Sequence, residues 1–249
     1  MEAQLRAPQS KPWKELPVIW DMMRLPKFWS TLEHRVQQAK TVWVLPGFMT
    51  GDWSTWALRK TLTLAGHSVC GWGIGKNDGD VLHLTKKILS RLNKFPEGPK
   101  IHLVGWSLGG VIAREVAREA PERIAQVISM ASPVIGGPKY TVAARYYRET
   151  LGVDLDVFEQ EVESRESIPL QIPVTALYSP KDAVVCPEAC IDVHNKQVKH
   201  IPISCSHSSF GFCPEVHKHV LQCLQARVDG QETTNEKSLL QKQQTRSIL

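Results

Sequence analysis

Ile101-His102-Leu103-Val104-Gly105-Trp106-Ser107-Leu108-Gly109-Gly110 decides how this chain is read. Residues 101–104 form a short apolar run of the kind that makes a buried strand. After Ser107, apolar and small residues recur at helical spacing up to Glu119, and Pro121 ends them. A serine caught between such a strand and such a helix sits in a tight, strained turn. The residues two before and two after it must then be tiny, as Gly105 and Gly109 are. The helix N-terminus brings free backbone N–H groups and the positive end of its dipole beside the serine oxygen. That is where negative charge develops when a serine attacks a carbonyl. The competing reading is a glycine-rich turn whose serine does nothing.

Outward from this stretch, short β-branched runs recur at 41–45, 68–72, 101–104, 124–130, 174–178 and 197–203. Helical candidates alternate with them at 54–66, 79–93, 108–119, 139–166 and 214–226. Strand–helix alternation predicts an α/β fold, a mostly parallel sheet of about six strands with helices on both faces. Pro46-Gly47 ends the first strand, and Gly66 sits at the end of the first helix.

A serine hydroxyl needs a base, and the base needs an orienting acid. On a sheet of this kind they follow the serine in the order acid, then histidine, on loops after later strands. Asp182, in Ser179-Pro180-Lys181-Asp182, directly follows the run 174–178, at a carboxyl end where sites form in open α/β sheets. Asp154, Asp156 and Asp192 are rivals that follow no strand directly. His207 follows the last run in a loop of small residues, Ser204-Cys205-Ser206-His207-Ser208-Ser209. His67 and His102 precede the serine, His194 and His200 flank or enter the last strand, and His217 and His219 fall in the last helix. The backbone N–H groups of Phe48 and Leu108 are the expected oxyanion donors, one after the first strand and one after the serine.

Three segments fall outside the alternation. Residues 1–40 form an N-terminal helical or irregular extension with Trp13, Trp20 and Trp29. Apolar residues recur there at helical spacing (16, 19, 20, 23, then 25, 28, 29, 32), although Pro17 and Pro26 are expected to break any single long helix. Within an α/β domain over 41–228, residues 137–170 read as a helical cap or lid, with six acids between Asp154 and Glu166 against Arg165. Residues 229–249 are polar and Gln-rich, and read as a disordered tail.

In 249 residues, 42% are hydrophobic and 22% charged, which suits one soluble α/β core. No run is long enough to span a membrane, and Met1–Lys14 lacks the apolar core of a signal peptide, so a cytoplasmic location is expected. The net charge of +5 has no dense basic stripe, which argues against a nucleic-acid partner. Residues 1–40 hold seven Lys/Arg against four acids; with the tryptophans, this suits transient contact with a lipid surface, although such a segment more often packs on its own protein. The six cysteines, 70, 186, 190, 205, 213 and 223, fit no zinc spacing and read as reduced, mostly buried thiols. A Cys205–Cys213 disulfide is the alternative.

Val42-Trp43-Val44-Leu45-Pro46-Gly47-Phe48, Gly71–Asn77, Val104–Gly110 and Ala131–Gly136 resemble a family of bacterial α/β-hydrolases described as esterase- or lipase-like. The likeness runs from about residue 18 to 225. It implies a Ser107–His207–Asp182 triad, an oxyanion hole at Phe48 and Leu108, a helical cap, and no metal or organic cofactor. Two departures stand out: Pro46-Gly47 replaces the usual His-Gly, and cysteines flank the histidine loop. The expected activity is cleavage of small-molecule or lipid carboxylic esters through an acyl-enzyme. Met49, Trp53, Trp106, Leu108 and Val134 are the candidate acyl-pocket residues, and Val142, Tyr146, Tyr147, Leu151 and Phe158 are expected to face the site from the cap. Acyltransferase, thioesterase, amidase and polyester depolymerase activities use the same triad. A non-catalytic binding protein is the rival of another kind, and it would have no need of all three groups in order.

Overall fold

In a computed structural model, residues 5–226 are described, except 10, 33–35, 37 and 97. The expected tail at 229–249 lies outside the described residues. The sheet has six strands: β1 Thr41–Leu45, β2 Ser68–Gly71, β3 Ile101–Trp106, β4 Ile124–Met130, β5 Val174–Tyr178 and β6 Lys199–Pro202. Every pairing is parallel, in the order β2-β1-β3-β4-β5-β6. The serine-bearing β3 is therefore central, and β6 is an edge. Pro202, which has no N–H to donate, sits at the last position of that edge strand.

Alternation of side chains across the pleat builds two cores. From β1, Trp43 and Leu45 join Leu84, Ile88 and Leu92 of α3 (Val81–Lys94) and Val116 of α4 (Leu108–Glu119). Val42 and Val44 point the other way, toward Leu58 and Leu62 of α2 (Trp56–Leu64) and Val216 and Val220 of α7 (Pro214–Gln225). All residues of β3 and β4 are buried, as expected of strands covered on both faces.

Two expectations need correction. A single helix, α1 (Pro17–Ser30), runs straight through Pro26. Pro17 occupies the first helical position, where no N–H is needed, and Pro26 deprives only the Met22 carbonyl, on an exposed residue, of its partner. The cap is not one long helix. It comprises a 3-10 turn at Gly137–Tyr140, α5 (Ala144–Glu149) and α6 (Leu155–Glu166). Gly152, with φ +66°, breaks the chain between the helices, and Asp154 caps α6 by accepting the Asp156 amide at 2.9 Å. Among the described residues, no helix is long and apolar enough to cross a membrane.

A buried ion network ties the cap to the sheet. Arg114 Nη2, on α4, lies 2.7 Å from Glu166 Oε2 at the end of α6 and 2.5 Å from Asp192 Oδ2 before β6. Arg118 adds a second cation to Glu166 at 3.2 Å. Removing the cation strands two carboxylates away from water. Arg114→Ala should therefore destabilise the fold by about 3–5 kcal/mol, read by urea denaturation. A loss under about 1 kcal/mol would mean that water or Arg118 satisfies both acids, and that the network does not brace the cap.

Candidate active site

The chain enters the site through β3 and turns sharply at Ser107, whose backbone is left-handed, with φ 54° and ψ −125°. A non-glycine residue held there stores backbone strain that its surroundings must impose. They do so by close packing. A Cβ on Gly105 would collide with the Gly109 carbonyl and Gly110, and one on Gly109 would collide with the carbonyls of Leu45 and Pro46. The Ser107 N–H is fixed by the Met130 carbonyl of β4 at 2.7 Å, and the Ser107 carbonyl accepts the Gly110 amide at 2.9 Å.

The loop after β1 passes directly over the serine: a Cβ on Gly47 would stand 3.2 Å from Ser107 Cβ and 3.8 Å from Oγ. Phe48 follows at once. Leu108 is the first residue of α4, so its N–H has no intrahelical acceptor. Among the described residues, no backbone carbonyl takes the N–H of either Phe48 or Leu108. The loop is clamped by Asn77, which was not singled out from the sequence for this role. Asn77 is fully buried; its Nδ2 donates to the Pro46 carbonyl at 2.9 Å, its carbonyl accepts the Met49 amide at 2.7 Å, and its N–H donates to the Thr50 carbonyl at 2.8 Å. The sequence signal was a lone Asn in the Gly75–Gly79 turn region.

Asp182 follows β5 and is buried. Its Oδ1 accepts the amides of Val184 and Val185, each at 2.8 Å, which orients the carboxylate. Its Oδ2 lies 2.7 Å from His207 Nδ1. An Nδ1–H donated to this acid leaves Nε2 as the basic nitrogen. The His207 loop is held from three sides. Ser179 Oγ donates to the Cys205 carbonyl at 2.5 Å, Ser206 and Ser209 join hydroxyls at 2.9 Å, and the indole of Trp106 stacks obliquely on the imidazole with ring centres 6.0 Å apart.

The rival acids have other partners. Asp154 caps α6, Asp156 pairs with Lys139 at 2.6 Å, and Asp192 belongs to the Arg114 network. Most rival histidines are engaged too. His67 accepts the Lys40 amide, His102 meets Gln126, His194 pairs with Glu163, and His200 accepts the Asp192 amide. His217 is buried beneath the His207 loop, with Nδ1 2.8 Å from Thr61 Oγ1 and Nε2 3.1 Å from the Gly211 carbonyl.

A small cavity of about 50 Å³ opens beside Ser107 and Leu108. Its walls are Val81 and Val111 from the body and Tyr147, Phe158 and Val162 from the cap, with Arg165 the charged group among its lining. Of the substrate-binding candidates, Leu108, Tyr147 and Phe158 are in this lining. Met49 and Trp53 are exposed to solvent, Trp106 and Val134 are buried in the protein body, and exposed Tyr146 meets the rings of Phe48 and Tyr147, with centres 5.6 and 6.3 Å away. Burial pushes the Tyr147 hydroxyl up to about 12, so it stays neutral. All six cysteines are free thiols, so no disulfide joins Cys205 to Cys213. Among the described residues, no group of three or more His, Cys, Asp or Glu side chains could hold a metal ion.

Residues 78–191 match a protein family described as alpha/beta hydrolase fold. Mouse palmitoyl-protein thioesterase ABHD10, mitochondrial, is 30% identical over 140 residues, which are 45% of this chain and 47% of that protein. The chain thus spans about half the length of this curated relative, and the likeness is not confined to bacterial proteins. The solved structure of mouse ABHD10 superposes with a TM-score of 0.53 at 24% identity, covering 75% of this chain and 89% of that one. A thioesterase domain from the curacin biosynthetic pathway gives 0.56 at 13% identity, covering 76% and 92%. A Paleococcus ferrophilus monoacylglycerol lipase gives 0.56 at 18%, covering 75% and 96%. The chain has the α/β-hydrolase fold.

Burial lowers His217 to about 4, below the ordinary 6.5. The unfolded chain therefore takes up this proton first as the pH falls. Stability from this group is full above pH 6.5 and is lost between 6.5 and about 4, by about 3 kcal/mol in all. Urea melts of the protein and of His217→Gln over that range should differ by one proton in slope. Equal slopes would show that His217 titrates normally in the folded protein.

Proposed function

We propose that the protein is a serine hydrolase that cleaves carboxylic esters through an acyl-enzyme on Ser107. The observation that carries this reading is the left-handed Ser107 backbone at the head of α4. Strain of that kind persists at functional turns, and a merely structural serine has no need of it. The Asp182–His207 pair supports it.

In the first step His207 Nε2 takes the Ser107 hydroxyl proton as Oγ bonds to the ester carbonyl carbon. The carbonyl oxygen becomes an oxyanion, held by the N–H groups of Phe48 and Leu108. Asp182 stabilises the charged imidazolium and keeps Nδ1 protonated. Collapse expels the alcohol, which leaves with the proton from His207. Water, deprotonated by His207, then attacks the acyl-serine, and the carboxylic acid departs as Oγ regains its proton. This chemistry needs neither a metal nor an organic cofactor.

In this reading, residues 41–228 are the catalytic domain, preceded by the 1–40 extension and covered by a cap at 137–170. The substrate is a small-molecule or lipid ester whose acyl group enters among Val81, Val111, Tyr147, Phe158 and Val162. Six free thiols suit a reducing, cytoplasmic setting. A second reading, thioester hydrolysis, is favoured by the likeness to a palmitoyl-protein thioesterase. The machinery is the same and only the leaving group differs.

Hydrolysis of p-nitrophenyl esters of graded chain length should fall by at least about 10³-fold in Ser107→Ala and about 10⁴-fold in Asp182→Asn, with melting temperatures retained. Undiminished turnover by folded Ser107→Ala removes the nucleophile assignment. Matched oxyester and thioester substrates of equal acyl length, compared by kcat/KM, decide between the two readings.

A further inference from the structure

Helix α1 carries two apolar faces, and only one is used. Leu25 is 1% exposed, Leu32 just past the helix packs against the second core, and Phe28 and Trp29 reach inward, to His217 and to Thr61 and Trp56. On the opposite side Leu16, Ile19, Trp20 and Met23, at i, i+3, i+4 and i+7, are 60, 57, 63 and 68% exposed. Trp13, in the preceding turn, is 64% exposed. A surface helix ordinarily turns one apolar stripe inward and a polar face to water. A continuous outward apolar row instead marks a surface that something covers.

The charges identify what would cover it. Lys14 is exposed at the start of the row, and Lys27, four residues after Met23, continues it one turn further. The acids of the segment are turned away: Asp21 is buried, and Glu15 accepts the Ser208 amide at 2.7 Å. The outward face is thus apolar with basic ends, and tryptophan is the side chain best suited to the boundary between hydrocarbon and headgroups. A second copy of this chain would set lysine against lysine across a two-fold contact, which an anionic surface avoids.

We propose that this face of α1 docks the protein on an anionic lipid surface, with Ile19, Trp20 and Met23 entering the headgroup–acyl boundary and Lys14 and Lys27 meeting lipid phosphates. The docked segment is joined to the candidate active site. Glu15 is bonded to the residue after His207, and Trp29 leans on Trp56, which touches Phe212 just beyond the same loop. The proposal rests on the helix face alone and stands whether or not Ser107 is a nucleophile.

The test is flotation of the full chain with phosphatidylcholine vesicles, with and without phosphatidylglycerol. The protein should float with the mixed vesicles, less with neutral ones, and less in high salt. Lys14→Gln with Lys27→Gln should weaken the anionic preference by about tenfold. Trp20→Ser with Met23→Ser should weaken binding to both vesicles by about tenfold or more. Thermal melts should stay unchanged, since these side chains already face solvent. Absence of flotation with anionic vesicles overturns the proposal, as does binding that neither double variant alters. A dimer in light scattering that Trp20→Ser with Met23→Ser disperses also overturns it, and gives the face to a second copy.

Discussion

The site depends on one steric constraint: three stretches of backbone must meet around a serine in a conformation that side chains normally avoid. The β3–α4 turn can close only because neither Gly105 nor Gly109 carries a Cβ, and the loop after β1 can cross it only because Gly47 does not. The energy that holds Ser107 at φ 54° is spread through β3, whose residues are all buried, and through its hydrogen bond to β4. A hydroxyl on a flexible surface loop would relax out of this position. Here the fully buried centre of a parallel sheet prevents it.

From that point parallel topology does the rest. All six strands run the same way, so every loop after a strand emerges at one edge. Phe48 after β1, Ser107 after β3, Asp182 after β5 and His207 after β6 come together although 159 positions separate the first from the last. The polar groups at this edge are braced in turn. Asp182 is oriented by two amides before it meets His207, and the His207 loop is tied to Ser179 on one side and supported by His217 beneath. Buried polar contacts of this sort are stabilising only when satisfied, and each adds rigidity to a residue whose position matters.

Much of this was legible in the residues because it depends on local rules. Apolar runs of strand length, punctuated by Pro46-Gly47 and Pro121, located the strands, and small residues around Ser107 marked the turn. What escaped depends on tertiary context. Pro26 sits inside a helix where the residue whose carbonyl it deprives, Met22, is exposed, and sequence alone does not say which side of α1 is wet. The cap splits at Gly152, whose left-handed backbone turns the chain between the two helices. The cavity lining was legible only in part, at Leu108, Tyr147 and Phe158. Apolar residues near the oxyanion loop, Met49 and Trp53, looked like pocket residues but face solvent, whereas Val81, Val111 and Val162, on three different helices, line the cavity. Periodicity finds the inward side of a helix, but it does not tell which inward residues border a void.

The size of that void bears on the cap. At about 50 Å³ it is far smaller than the roughly 300 Å³ or more that an ordinary small-molecule ligand fills. In the proposed reading, enclosing an acyl group of more than a few carbons would displace part of the wall. The body side consists of helices α3 and α4 packed on the sheet, where displacement costs core contacts. The cap side is held differently at its two ends. The end of α6 is locked through Glu166 to Arg114 in the buried network, whereas its start is held by Lys139 and Tyr140 to Glu159 across partly exposed pairs. Exposed pairs are weak, and Gly152 already interrupts the backbone beside them. Tyr147 and Phe158, the aromatic walls of the cavity, lie on either side of that glycine in the chain.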